Sequence, residues 1–182
     1  MLKTKPRKTI EDYLRLPEGT RAELIEGEIL MSPSPKERHQ AVVGNLFALL
    51  RGFILERRLG RIYTAPFDVH LPSGDVVEPD LVFVASEHRS ILQDWIRGVP
   101  DLLIEVVSPD SAERDRIVKR HLYERNGVRE YWLVEPAERA VEVLEFSGGR
   151  FVSRGYFEEA DRVTSGVLAE LSLPVRAIFD ED

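Results

Sequence analysis

The fold is decided by the stretch DLLIEVVSPDSAERDRIVKRHLYERNGVREYWLVEP, residues 101–136. It opens with a nearly continuous apolar run, 101–108, which is typical of a strand buried on both faces of a sheet. A helical pattern follows at 111–126, and Gly127 stops it. A second apolar run at 130–136 predicts another strand. The order strand, helix, strand predicts an α/β core.

The flanking sequence adds strands and helices of both kinds. Residues 36–58 carry apolar side chains at helical spacing and predict the longest helix, ended by Gly60. Two alternating apolar runs joined by residues 72–75 predict a hairpin. Shorter predicted elements are a helix at 10–16, a strand pair or bent strand at 21–31, and a strand at 140–146. The pattern predicts a mixed α/β (α+β) fold, with a mixed central β-sheet flanked by helices.

A chain of 182 residues predicts a single domain over 1–182. Residues 1–9 are expected to form a loose basic arm, and residues 74–134 are expected to form the core, which is the catalytic core if the chain is an enzyme. The sequence has no cysteine, which excludes disulfides and thiolate metal sites. It has no apolar run long enough to span a membrane, and its basic N-terminus lacks the apolar stretch of a secretory signal. A soluble cytoplasmic protein fits these observations best.

The net charge of −7 is unfavourable for binding a polyanion, but the charge is uneven. Residues 36–62 carry six bases against two acids. This stretch either forms a local basic face or is ordinary solvated surface.

Two acids stand beside or inside apolar strands. Glu105 interrupts a buried run, and Asp80 follows Pro79 just before another run, Leu81–Val84 in the sequence. A buried carboxylate is costly unless it is paired or binds a cation. Acids at the ends of neighbouring strands can point at one spot and hold Mg²⁺. The alternative is that one acid pairs with an arginine and the other caps a turn.

Lys119 is distinctive because the chain has 20 arginines and only five lysines, four of them at or before position 36. Lysine is a compact charge suited to stabilising a phosphate or holding a water. Helical spacing places Asp115, Lys119 and Tyr123 along the border of the buried stripe. The alternative is an ordinary surface ion pair between Asp115 and Lys119. His39, near the start of the long helix, could reach a phosphate or a carboxylate, or be a partly exposed histidine.

Three pieces of sequence together resemble a known family. They are EPDLVFV (78–84), the stretch 101–136 and RAELIEGEI (21–29). The chain resembles the Uma-type restriction endonucleases over roughly residues 10–146, a family placed in the PD-(D/E)xK nuclease superfamily. The resemblance implies a restriction-endonuclease-like core.

The resemblance also implies roles for particular residues. Asp80 looks like the motif aspartate and Glu105 like the second acid. The superfamily pattern expects a lysine at position 107, where this chain has Val107, so Lys119 is the implied replacement from the following helix. Glu23 and His39 match further family positions and are expected to line the site.

The activity implied is metal-assisted hydrolysis of a DNA phosphodiester. Asp80 and Glu105, with a backbone carbonyl near Val106, are expected to bind Mg²⁺, with Mn²⁺ as a possible substitute. Asp115 is expected to hold Lys119 in place. The apolar neighbours of Glu105 predict a raised pKa for its carboxyl group when no metal is bound. DNA is the expected partner, and a homodimer is expected because nucleases that cut both strands often act as two-fold pairs.

The sequence is also compatible with two other functions. One is a nuclease-fold protein that no longer cleaves and serves as a DNA-binding or assembly module, which Val107 and the negative net charge favour. The other is a metal-dependent phosphoesterase acting on a smaller substrate.

Overall fold

A computed structural model describes residues 6–180 of the chain. Within these residues the strands, numbered in chain order, are β1 (Ala22–Ile25), β2 (Glu28–Met31), β3 (Gly60–Thr64), β4 (Val69–His70), β5 (Val76–Val77), β6 (Leu81–Ala85), β7 (Ile96–Arg97), β8 (Leu102–Val106), β9 (Glu130–Glu135), β10 (Ala140–Ser147), β11 (Arg150–Phe157), β12 (Arg162–Val163) and β13 (Leu173–Pro174). The α-helices are α1 (Ile10–Tyr13), α2 (Glu37–Arg57), α3 (Arg120–Arg125) and α4 (Arg176–Phe179). A 3₁₀ helix spans Ser86–Ile91, and a π-helical turn spans Arg114–Lys119.

The larger sheet has the strand order β11-β10-β9-β8-β6-β3. β8 runs parallel to β9 and antiparallel to β6, so the sheet is mixed. All five residues of β8 are buried, as its continuous apolar sequence predicts. The mixed α+β architecture predicted from the sequence is therefore confirmed.

Helices cover both faces of this sheet. On one face α2 packs through Val42, Leu46, Leu50 and Ile54, which recur every four residues and form one buried stripe. On the other face Leu122 and Tyr123 of α3 join a second core cluster. Because side chains alternate along a strand, Leu102 and Ile104 face α2, whereas Leu103 and Glu105 face the side of α3.

A smaller sheet, in the order β2-β1-β5-β4-β7, stands beside the larger one. The strand pair predicted at 21–31 is the β1–β2 hairpin, whose two-residue turn has positive φ at Glu26 (52°) and Gly27 (81°). This is the backbone that a tight hairpin turn requires. The hairpin predicted around residues 72–75 is also present, but it is nested: β4 and β5 pair in the smaller sheet, and β3 and β6 pair in the larger one.

Several predicted boundaries need correction. The first helix is shorter than predicted and ends at Tyr13. The long helix ends at Arg57, because Arg58 adopts a left-handed conformation (φ 55°), and Gly60 instead begins β3. The predicted helix 111–126 is helical from residue 112, and its Arg114–Lys119 segment is a π-helical turn rather than a regular α-helix.

The predicted loose arm is only partly described, since residues 1–5 lie outside the described residues. The part that is described contacts the turn of the β1–β2 hairpin. The backbone N–H of Lys8 donates a hydrogen bond of 2.7 Å to the Gly27 carbonyl. The Arg7 side chain packs so closely on Gly27 that a Cβ there would lie 2.7 Å from Arg7 Cβ. In residues 6–180, no helix combines the length and the apolar character that crossing a membrane requires.

Candidate active site

Asp80 and Glu105 come together because β6 and β8 are antiparallel neighbours. The last residue pair of this ladder is Leu81 with Ile104. Asp80 immediately precedes Leu81, and Glu105 immediately follows Ile104. The Asp80 carboxylate accepts a hydrogen bond of 2.8 Å from the backbone N–H of Val106. The strand register therefore holds the Asp80 carboxylate against the peptide that follows Glu105.

Lys119 reaches Glu105 from the π-helical turn. Its Nζ lies 2.8 Å from Glu105 Oε1 and 2.9 Å from Glu23 Oε1. Asp115 Oδ1 is farther away, at 3.8 Å. The Lys119 side chain is only 3% exposed. The pair of Asp115 and Lys119 is therefore buried, and the closest partners of Lys119 are the two glutamates.

The π-helical turn departs from the regular helix predicted at 111–126. Such turns occur mostly as single insertions in α-helices and often at functional sites. Here the turn carries both Asp115 and Lys119, and both are buried. Position 107, by contrast, holds a buried valine inside the second core cluster. The helix thus brings an ammonium group to Glu105, while the strand position that the superfamily pattern expects to hold a lysine is used for packing.

Tyr123 lies one helical turn beyond Lys119 and contacts the same carboxylate. Its hydroxyl donates a hydrogen bond of 2.8 Å to Glu105 Oε1. Glu105 Oε1 therefore accepts from both the Lys119 ammonium and the Tyr123 hydroxyl. Burial raises the pKa of the Tyr123 hydroxyl, so it stays a donor at neutral pH.

Burial dominates the electrostatics of the cluster. It raises the pKa of Glu105 well above its ordinary value, in the direction predicted from the sequence, although the charge of Lys119 acts the other way. Burial also raises the pKa of Asp115. For Lys119, burial favours the neutral amine, but the charges of Glu105, Glu23 and Asp115 outweigh it and raise the pKa. Lys119 is therefore an ammonium ion held by acids.

His39 lies on the first turn of α2 and faces Asp80. Its Nε2 is 3.2 Å from Asp80 Oδ2, and both side chains are partly exposed. Burial alone lowers the pKa of His39, but the hydrogen bond and the charge of Asp80 outweigh it, so the pKa is raised. The imidazolium form then donates to Asp80 Oδ2, the same oxygen that accepts from the Val106 N–H.

Three charged residues that the sequence analysis did not single out belong to the same site. The backbone N–H of Glu78 donates to Glu23 Oε1 at 3.0 Å, and its own side chain is only 6% exposed. Burial, and then the charge of Asp68, raise the pKa of Glu78 to about 7. Arg21 lies 3.8 Å from Glu78, and Arg114 lies 3.9 Å from Glu23. The position of Glu78 next to the Pro79-Asp80 motif is the one sequence feature that indicates its place in the site. No sequence pattern indicates the two arginines.

These residues line one cavity of about 540 Å³. Its walls include residues that were predicted for the site, namely Glu23, His39, Asp80, Glu105, Val106, Asp115 and Lys119. Tyr123 stands behind Glu105 rather than on the wall. The structure thus brings every candidate residue to one place, while their roles remain predictions.

The cavity fits a divalent cation by charge and by donor type. Its lining carries six acids (Glu23, Glu78, Asp80, Glu105, Asp110, Asp115) and four permanent bases (Arg21, Lys36, Arg114, Lys119). Oxygen donors are the ligands that Mg²⁺ prefers.

The protein would supply only some of the ligands of such an ion, and water and substrate would supply the others. Among residues 6–180, no group of three His, Cys, Asp or Glu side chains is arranged to hold a metal ion. Mg²⁺ does not need such a cage, because it binds through one or two carboxylates and keeps several waters. Asp80 and Glu105 supply the one or two carboxylates that such a site requires.

The six bases of 36–62 do not gather around the cavity. Lys36 lines it, but Arg38 donates to the Pro136 carbonyl at 2.6 Å. Arg58 and Arg61 line a separate, smaller cavity beyond the other end of α2. With 1.5 Å of rise per residue, α2 is roughly 30 Å long. The predicted basic face is thus spread along the helix.

Comparison with known proteins gives a consistent result. The family model Uma2, described as "Putative restriction endonuclease", matches residues 10–176. A crystal structure described as a putative nuclease belonging to DUF820, from Anabaena variabilis ATCC 29413, superposes with a TM-score of 0.79 at 22% identity. The match covers 94% of this chain and 97% of that one. The search of curated proteins gives no match.

At 22% identity the likeness to the Anabaena protein shows the fold alone. The family match rests on nearly the whole described chain, and it includes Asp80, Glu105 and Lys119. The chain belongs to the Uma2 family of restriction-endonuclease-like proteins.

Proposed function

We propose that the protein is a metal-dependent DNA endonuclease that hydrolyses phosphodiester bonds. The convergence of Asp80, Glu105 and Lys119 on one cavity carries this proposal. Two carboxylates beside one ammonium group can bind a cation and a phosphate together. Membership of the Uma2 family supports the same activity.

Asp80 and Glu105, with the backbone carbonyl of Val106, would hold Mg²⁺ or Mn²⁺. When bound, such an ion supplies a Lewis acid for the phosphoryl group and lowers the pKa of water. Glu105 Oε1 is already held by Lys119 and Tyr123, which leaves Oε2 for the ion. Asp80 is held by Val106 and His39, so its orientation is fixed before the ion arrives.

Lys119 would stabilise the negative charge that develops on the phosphate, or orient the attacking water. A protonated amine in a site from which water is excluded interacts strongly with such charge. Glu23 and Asp115 keep the ammonium group at Glu105 and are positioning residues in this scheme. A homodimer that cuts both strands remains part of the proposal.

The direct test uses Asp80→Asn and Glu105→Gln, which keep the side-chain shapes but remove the charges. We expect each to lower cleavage of plasmid and oligonucleotide DNA with Mg²⁺ or Mn²⁺ by at least ~10²-fold, the order found when one electrostatic stabiliser is removed. The control is Glu142→Gln on β10, away from the cavity. Cleavage that survives both changes would contradict the proposal.

One observation favours the alternative of an inactive DNA-binding module. Three acids, Glu23, Glu105 and Asp115, already engage the ammonium group of Lys119, and position 107 is apolar. That alternative predicts that a single protein preparation binds DNA but does not cleave it when Mg²⁺ or Mn²⁺ is added.

A further inference from the structure

We propose that the smaller cavity, at the C-terminal end of α2, is a phosphate-binding site that holds the DNA backbone away from the scissile phosphodiester. The inference rests on the proposed nuclease function and adds a second point of contact with the same substrate. The charge of the smaller cavity, the backbone conformation of one arginine and the position of the cavity on the sheet support it.

The smaller cavity carries an excess of positive charge. It has a volume of about 250 Å³, three arginines (Arg58, Arg61 and Arg89) line it, and none of the described residues on its wall is acidic. Within residues 6–180, none of these three guanidinium groups is engaged by an ion pair or a hydrogen bond. By contrast, Arg116 and Arg125 lie 2.7 and 2.6 Å from a carboxylate oxygen. In a chain with a net charge of −7, three such cations around one cavity create a local field that attracts an anion.

Three different elements present these arginines to the smaller cavity. Arg58 follows the last residue of α2, Arg61 lies on β3, and Arg89 lies on the 3₁₀ helix. Ser86 connects the end of α2 to the 3₁₀ helix: its Oγ donates a hydrogen bond of 3.2 Å to the Arg58 carbonyl, and its N–H donates one of 2.9 Å to the Leu59 carbonyl. The backbones that carry the arginines are therefore fixed. A guanidinium group offers a planar fork of donors that matches two oxygens of a phosphate.

The backbone of Arg58 indicates that its side chain serves a ligand. Arg58 is in the left-handed conformation, with φ 55° and ψ 35°. Helices commonly end on a residue in this conformation, which glycine adopts without the steric cost that a Cβ brings. The helix dipole favours a cation at the C-terminal end of α2. It does not account for Arg61 and Arg89, which belong to other elements and point their charge at the same cavity.

The position of the smaller cavity favours DNA over a free anion. β3 is the edge strand of the larger sheet; Arg61 near its start lines the smaller cavity, and Thr64 at its end lines the larger one. At about 3.3 Å per residue, the four steps from Gly60 to Thr64 separate the two cavities by roughly 13 Å along the strand. This distance is about four base-pair steps of DNA. A volume of about 250 Å³ is also below the roughly 300–1,000 Å³ of small-molecule sites, and it suits one phosphate group of a larger molecule.

The test measures binding of a labelled DNA duplex of two helical turns, about 20 base pairs, by fluorescence anisotropy in EDTA at several salt concentrations. The variants are Arg58→Gly, Arg61→Gln and Arg89→Gln. Loss of one phosphate contact should raise Kd about five- to tenfold near 0.1 M salt and lower the salt slope by about 0.9. Arg150→Gln, on the edge strand β11 at the other side of the sheet, is the matched control and should change neither quantity. Unchanged Kd and slope in all three variants would overturn the inference.

Arg58→Gly separates the loss of charge from a loss of folding. Glycine keeps the left-handed backbone at a lower cost, so the midpoint of urea unfolding should equal or exceed that of the wild-type protein. Weaker DNA binding with an undiminished midpoint would assign the effect to the missing guanidinium group. Wild-type affinity in a protein with an undiminished midpoint would remove Arg58 from the site.

Cleavage kinetics with Mg²⁺ or Mn²⁺ distinguish this site from the reacting groups. We expect each variant to raise KM with little change in kcat, because a distant contact holds substrate and transition state equally. A lower kcat with unchanged KM would contradict the assignment. If the wild-type protein cuts no DNA, weaker duplex binding by the arginine variants would still support the phosphate site while overturning the proposed nuclease function.

Calorimetric titration with inorganic phosphate and with pyrophosphate distinguishes DNA from a free anion. Binding of either anion that is lost in the arginine variants, together with a weaker affinity for the duplex, would support a site for backbone phosphates. Loss of anion binding with unchanged duplex affinity would overturn the assignment to DNA in favour of a free phosphate compound.

Discussion

A single lysine links the acids of the site. Lys119 is the only lysine beyond position 36 in a chain that otherwise uses arginine. Its ammonium group lies within 3 Å of both Glu23 and Glu105 (2.9 and 2.8 Å). A compact ammonium group with three donors can serve several closely placed carboxylates at once, whereas a planar guanidinium group needs a wider site. The choice of lysine at this position therefore follows from the geometry.

Lys119→Met should affect both activity and stability. We expect cleavage to fall at least ~10²-fold and the free energy of unfolding to fall by about 3–5 kcal/mol, because the buried acids lose their counter-charge. Urea unfolding and the cleavage assay measure the two effects. Lys8→Met, on the described part of the N-terminal segment, is the control.

A second variant separates folding from chemistry. Adding Glu23→Gln to Lys119→Met removes one uncompensated charge and should recover part of the lost stability without recovering cleavage. Full cleavage by either protein would remove Lys119 from its proposed role.

The pairing of β3 with β6 depends on one glycine. Gly60 lies opposite Ala85 in the ladder. A Cβ at position 60 would lie 2.2 Å from the Val84 carbonyl oxygen and 2.9 Å from Ala85 Cα. No side chain fits there, so the glycine that resembles a helix stop in the sequence is required by the strand that follows. Asp80 immediately precedes the other end of β6, so this contact is connected to the site through that strand.

Gly60→Ala should therefore destabilise the protein by at least ~2 kcal/mol, since overpacking against backbone atoms cannot be relieved by a side-chain movement. The matched control is Gly52→Ala in α2, where a Cβ meets nothing within 4 Å. That change should stabilise by roughly 0.5–1 kcal/mol, because alanine loses less entropy in a helix. Equal midpoints of urea unfolding for the two variants would contradict this account.

At the scale of the molecule, Glu130 attaches the C-terminal region to the central sheet. It begins β9 and is fully buried. Its carboxylate accepts hydrogen bonds from Trp132 Nε1, Ser165 Oγ and the backbone N–H groups of Gly166 and Val167, at 2.6 to 3.2 Å. Residues after 165 supply Leu168, Leu171 and Ile178 to the core against α2. One acid thus holds the segment that closes one face of the sheet.

Glu130→Ala leaves three donors, on Trp132, Ser165 and Gly166, without an acceptor, whereas the Val167 N–H keeps Ser165 Oγ. It should lower the free energy of unfolding by at least ~3 kcal/mol. Glu130→Gln keeps one acceptor and should cost less. Hydrogen exchange should show loss of protection concentrated in residues 165–179. A loss below ~1 kcal/mol in the alanine variant, or uniform loss of protection, would show that Glu130 does not carry this attachment.

Local sequence patterns predict most of the elements and the candidate acids. Strand β8 is apolar except for Glu105, and α2 has a four-residue apolar repeat. Both patterns are local consequences of burial. Glu105 is conspicuous for the same reason, because a charge inside such a run needs a partner. The helical spacing of Asp115, Lys119 and Tyr123 placed them on one side without knowledge of the rest of the fold. The single-domain and homodimer expectations remain predictions.

Only the tertiary structure decided which residues meet. Glu23, Glu78 and Arg21 come from the β1 region and the end of β5. They line the same cavity as Lys119 only because the smaller sheet stands beside the larger one. The π-helical turn, the close approach at Gly60 and the depth of the cavity likewise depend on packing between distant segments. Local periodicity reports which face of an element is buried; it carries no information on what lies across from that face.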